Sequence, residues 1–235
     1  MRQGSTVMNG ALIPFRDRLQ AGRALGAALQ AYRGRNDVLV LALPRGGVPV
    51  ACEVAELLGS PVDLMIVRKL GTPGQEELAM GAIASGGVRV LNRDVIEPLQ
   101  IPERAIAEAE RRERREIERR EHAYRGQRPR PAVAGQCVIL VDDGVATGAT
   151  MRAAIAALRQ SKPARIVVAI PVAPPDTVDV LRSEADEVVC LATPEPFRAI
   201  GCWYVEFPQL SDEEVRARLS QSWAAAAAAV SRGSS

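Results

Sequence analysis

Short, mostly apolar runs alternate with helix-length segments along most of the chain, and this alternation constrains the fold more than any other feature. Val38 to Leu43, Val62 to Val67, Cys137 to Val141, Arg165 to Ile170 and Glu187 to Leu191 each predict a core strand, the apolar runs among them buried on both faces. Residues 14–33 carry Leu19, Leu25 and Leu29 near helical spacing. Val48 to Leu58 predicts a helix stopped by Gly59, and Pro174-Pro175 opens another. A third runs to about Gln160, and Ser211 is a good N-cap for a terminal helix from Asp212. Residues 68–80 read as a Gly/Pro-punctuated loop, followed by short strands near 81–84 and 88–91 around Gly86-Gly87. Buried strands alternating with helices predict an α/β fold with a doubly wound parallel sheet.

The length, 235 residues, suits one large domain with a helical appendage. The expected organisation is a single domain over 1–235, with a core from about 38 to 191. A long helical insertion would occupy 102–125, and a hood and helix about 192–230. No apolar run reaches the length of a membrane span, and the first residues lack a signal-peptide pattern, so a cytoplasmic protein without a membrane partner is expected.

One histidine, His122, excludes a three-histidine zinc site and leaves a Ser-His-Asp triad only a residue in a charged helical run. The four cysteines form no C-x-x-C pair; Cys52, Cys137 and Cys190 read as buried, inert thiols. A net charge of +2 does not point to nucleic acid.

In open parallel sheets, ligands bind beyond the carboxyl ends of the strands. Three predicted strands lead there into unusual chemistry: Pro44-Arg45-Gly46-Gly47, Arg68-Lys69, and the segment from Asp142 to Thr150. Asp142 and Asp143 are adjacent carboxylates, which repel unless hydroxyls or a cation satisfy them. A ribose diol, with or without magnesium, does so. Gly144, Val145, Ala146, Thr147, Gly148, Ala149 and Thr150 then form a turn of small and hydroxyl residues opening a helix. Amides at a helix start carry partial positive charge and bind phosphate. Acids for a diol followed directly by a phosphate cradle describe a site for a ribose 5-phosphate.

This ordered segment resembles the signature of the type I phosphoribosyltransferases, and the chain is closest to the branch known only as predicted phosphoribosyltransferases. The resemblance covers about Val38 to Leu191; the long helix and Ala192-Thr193-Pro194-Glu195-Pro196-Phe197 also look like that branch. It implies transfer of a 5-phosphoribosyl group from phosphoribosyl pyrophosphate to a nitrogen acceptor, a base or amine, with release of pyrophosphate. It implies that Arg45 and Lys69 bind pyrophosphate, with Pro44, Gly46, Gly47 and Arg68 around them. A cis peptide would fall between Pro44 and Arg45. Residues 70–80 match the position of the family's mobile loop. Asp142 and Asp143 would serve the diol and Thr147 to Thr150 the 5-phosphate. Magnesium is the implied cofactor, with no direct protein ligand beyond Asp142 and Asp143, and held through substrate and water. The expected assembly is a homodimer.

Many purine-using relatives place an acid just before the Thr-Gly of this loop, where the chain has Ala146, so a purine mechanism relying on that acid is not expected. Phe197 is the best candidate to stack on an acceptor, with Trp203 and Tyr204 as hood packing. Residues 111–130 hold nine arginines and four glutamates, a composition that tempts a nucleic-acid reading. Glu108/Arg112, Glu110/Arg114, Glu116/Arg120 and Glu121/Arg125 instead fall at i,i+4 spacing and predict a solvated, projecting helix packing on a partner subunit or the hood. The alternative to an enzyme is a regulatory protein that senses phosphoribosyl pyrophosphate or a nucleotide and touches RNA through this helix. A hydrolase acting on the same donor is a third reading.

Overall fold

The computed structural model describes residues 6–8 and 11–233. Much of the opening segment read for a leader pattern lies outside the described residues. An antiparallel pair, β1 (Thr6–Met8) and β2 (Ala11–Ile13), precedes α1 (Arg18–Ala28). Asp17 caps α1 by accepting from the Gln20 amide, so this helix starts later than its apolar spacing alone suggests. The core then runs β3 (Val38–Ala42), α2 (Gly47–Leu58) and β4 (Val62–Leu64). A three-stranded antiparallel sheet follows, of β5 (Val67–Thr72), β6 (Gln75–Ala84) and β7 (Val88–Leu91), with the short α3 (Arg93–Ile96) and the long α4 (Glu103–Arg125). The chain returns through β8 (Cys137–Val141), α5 (Ala149–Gln160), β9 (Arg165–Val172), α6 (Pro175–Glu184) and β10 (Glu187–Ala192), and closes with α7 (Asp212–Gly233).

The central sheet has the order β10-β9-β8-β3-β4, every pair parallel, as the buried runs predict. Numbered along the chain, those strands lie 2-1-3-4-5, so the direction of winding reverses between β3 and β8. A strand's side chains alternate between faces. Val38, Val40, Ile139, Val141 and Val167 therefore bury one way, in the same cluster as Leu25, Val54, Leu58 and Leu219. Leu39, Leu41, Val138, Leu140 and Val168 bury the other way, with Met151, Ile155, Leu158 and Leu181. Each such side chain contributes about 1.5–3 kcal/mol on burial, which fixes the strand ends in place.

Two local expectations are corrected. The second core strand stops at Leu64, and residues 67–84 form a hairpin rather than a loop. Its turn is tight, with Gly74 at φ +77°, and Thr72 faces Gln75 across it. The punctuating Gly and Pro bend one ribbon instead of dissolving it. The long helix does not project into solvent; it packs on the C-terminal helix α7, one of the two seats expected for it, and on the hairpin as well. Ile106, Ala109, Ile117 and Tyr124 are buried, and α4 packs against β5, β6 and α7. Three of the four i,i+4 pairs form, Arg114–Glu110, Arg120–Glu116 and Arg125–Glu121. The helix also carries buried charges with distant partners: Arg125 donates to Asp63 at 2.8 Å, and Glu113 accepts from Arg68.

The chain ends build a hood, as expected. Phe15 donates its amide to the Trp203 carbonyl, and Val205 donates back to Phe15, both at 2.8 Å. Among the described residues, no helix is long and apolar enough to cross a membrane.

Candidate active site

The reversal in strand order sets the site. β3 and β8 are register partners to their ends, Ala42 beside Val141, and the Leu43 amide donates to the Val141 carbonyl at 2.9 Å. The two strands therefore release Pro44–Gly47 and Asp142–Asp143 side by side. A β-carbon built on Gly46 would stand 2.0 Å from Asp143 Oδ2, and one on Gly47 would stand 3.2 Å from Asp142 Oδ1. Only glycine allows that approach. The peptide between Pro44 and Arg45 is cis, as the resemblance implied.

The two acids differ. Asp143 is buried; its Oδ2 accepts from Arg18 Nε at 2.7 Å, and its carbonyl accepts from the Tyr204 hydroxyl at 2.6 Å. Asp142 is partly exposed, and its Oδ1 accepts the Asp143 amide at 2.9 Å. Burial drives both carboxyls above the usual aspartate value. The negative charge of Asp143 raises Asp142 further, whereas Arg18 opposes the rise at Asp143. The pair is thus poorly solvated, and Asp142 has no cationic side-chain partner at hydrogen-bond distance among the described residues.

From Asp143 the chain passes through Gly144 and Val145, whose amide is held by the Val172 carbonyl at 3.0 Å. Ala146, Thr147, Ala149 and Thr150 are exposed. Gly148 enters α5 with φ +78°, a conformation that favours glycine, and no side chain caps the helix. The first-turn amides of α5 are therefore left without a side-chain acceptor, and they carry partial positive charge. Thr177 Oγ1 donates to the Ala146 carbonyl and fixes the bend from α6.

The remaining predicted residues have partners of their own. Arg45 is partly exposed, 4.0 Å from Asp212 at the start of α7, and Asp212 also accepts from the Tyr124 hydroxyl at 2.7 Å. Arg68 and Lys69 do not end a core strand; they belong to β5. Arg68 pairs with Glu113 and Lys69 with Glu77, each at 2.8–2.9 Å. Glu77 is therefore engaged as well as solvated. Phe197 is partly buried and its ring is tilted against Trp203 at 6.2 Å. Sequence reading passed over Arg18, which sits in no motif; its signal is only its place at the first turn of a capped helix.

The sequence matches the family profile described as the phosphoribosyl transferase domain over residues 16–202. It is 47% identical over 207 residues to the candidate phosphoribosyl transferase Rv0571c of Mycobacterium tuberculosis, covering 88% of this chain and 46% of that protein. The chain thus spans about half the length of the curated relatives it matches. The crystal structure of TT1426 from Thermus thermophilus superposes with a TM-score of 0.79 at 44% identity, over 88% of this chain and 98% of that one.

Proposed function

The chain belongs to the phosphoribosyl transferase family, and from that premise we propose that it moves a 5-phosphoribosyl group from phosphoribosyl pyrophosphate to a nitrogen acceptor. One observation carries the reading: an acid pair, Asp143 buried and Asp142 partly exposed, leads through a short bend into an uncapped helix start at the reversal point of the sheet. A sugar diol fits the first and a 5-phosphate the second.

In this reading the bond between C1 and the pyrophosphate oxygen breaks as the acceptor nitrogen bonds to C1, pyrophosphate leaves, and the proton of the acceptor nitrogen passes to water. The outgoing charge faces Arg45 and Lys69. Asp142 accepts from the diol, and Asp143, fixed by Arg18, supports it. Thr147, Gly148, Ala149 and Thr150 hold the 5-phosphate through amides and hydroxyls. The chain supplies orientation and charge complementarity, which suits a site whose acids and cations are positioned by their neighbours. Magnesium fits the two hard carboxylate oxygens, but two ligands cannot satisfy an octahedral ion, so donor oxygens and water would complete the shell. When bound, the ion would stabilise charge on the pyrophosphate.

Calorimetry with phosphoribosyl pyrophosphate and magnesium tests the donor, and a screen of bases and amines for released pyrophosphate tests the transfer. Binding with turnover is expected. Tight binding without turnover, joined to salt-sensitive RNA binding, would favour the sensor instead.

A further inference from the structure

Arg18 lies outside the strand-end motifs, yet it has the most connected side chain at the acid pair. Its Nε donates to Asp143 Oδ2 at 2.7 Å and its Nη1 to the Pro208 carbonyl at 2.8 Å, while the guanidinium lies 3.8 Å from the Phe207 ring centroid. Both members of the ion pair are buried. Tyr204 completes the arrangement: its hydroxyl donates to the Asp143 carbonyl, and its ring stacks on Phe207 at 4.8 Å. Asp143 is therefore held at its carboxylate by α1 and at its backbone by the hood, and Arg18 ties those two elements together.

We propose that Arg18 is a positioning residue for donor binding, which turns the Asp143 carboxylate beneath the Pro44–Gly47 loop and makes the acid pair dependent on the seating of residues 204–208. The proposal rests on the donor reading above. The physical reason is geometric. The Asp143 carboxylate occupies the space that a β-carbon on Gly46 would fill, and Arg18 is the cation that holds it there, beside Asp142. A planar guanidinium with several donors can hold a carboxylate and a carbonyl at once; a lysine ammonium is a point charge on a flexible stem.

The test is calorimetry of magnesium with phosphoribosyl pyrophosphate on the full chain and on Arg18→Met, Arg18→Lys, Tyr204→Phe and Arg23→Met. Arg23 is an exposed arginine on the same helix that pairs with Glu53, away from the acid pair. Arg18 also lines a cavity of about 370 Å³ with Leu210 and Val215, which gives a replacement side chain room. Arg18→Met is expected to weaken donor binding about tenfold or more, the scale of one lost charge-assisted hydrogen bond. Arg18→Lys should recover only part of it, and Tyr204→Phe should weaken binding by a smaller factor. Arg23→Met should bind as wild type. Folded Arg18→Met with wild-type affinity overturns the proposal alone. A wild-type chain that does not bind the donor overturns the donor reading, and the positioning role with it. Should Arg18→Met fail to fold, Tyr204→Phe, which keeps its ring stack, decides by the same measure.

Discussion

Gly46 and Asp143 sit so close that a β-carbon on the first would come within 2.0 Å of the carboxylate of the second. The carboxylate cannot retreat, because Arg18 holds it at 2.7 Å. Gly46→Ala is therefore expected to displace either the loop or the acid. Overpacking of this kind costs about 1–3 kcal/mol. Urea unfolding should register that loss, and calorimetry should show donor binding fall at least as far as for Asp142→Ala.

The acid pair predicts a pH dependence. Burial raises both carboxyls in the folded chain, so the folded state holds protons that the unfolded state would release. Stability of the ligand-free protein is then full below the ordinary aspartate value and declines as pH rises through the folded values. The two titrate as a pair. Asp142→Asn should flatten that decline in unfolding measurements made at a series of pH values. A slope unchanged by the substitution would contradict the assignment.

Glu77 competes with an incoming anion for Lys69, since the two pair at 2.9 Å on the β5–β6 hairpin. Glu77 is almost fully exposed, so the competition is weak and screened by solvent. Glu77→Gln should tighten donor binding by no more than about fivefold, less in high salt. Lys69→Ala should weaken it. Titrations at two ionic strengths separate these outcomes.

Thr150 is exposed in the first turn of α5, so its hydroxyl is free of any packing duty. Thr150→Val should leave the thermal midpoint near wild type. Ribose 5-phosphate should bind about tenfold more weakly to it, the scale of one hydrogen bond to a charged group. Equal binding by competition assay would remove this residue from the cradle.

The parallel sheet and its signature were legible because their signals are local. Four apolar residues in sequence bury a strand, and Asp142 to Thr150 carry their chemistry in contiguous order. What escaped the sequence was long-range. Arg18 meets Asp143 across 125 residues, and no spacing announces it. The hairpin at 67–84 was hidden because Gly and Pro mark a tight turn and a loose loop alike. The charges of α4 were misjudged because Glu113, Glu121 and Arg125 look solvated until Arg68, Arg130 and Asp63 are placed beside them.

The seam between Phe15 and residues 203–205 sets the smallest fragment that could work. A piece trimmed to residues 38–192 would keep every strand of the central sheet and the whole signature stretch. It would still lose the guanidinium and the phenol that clamp Asp143. The proposed donor site would therefore need a longer span than the motif, with both flanks serving as its wall.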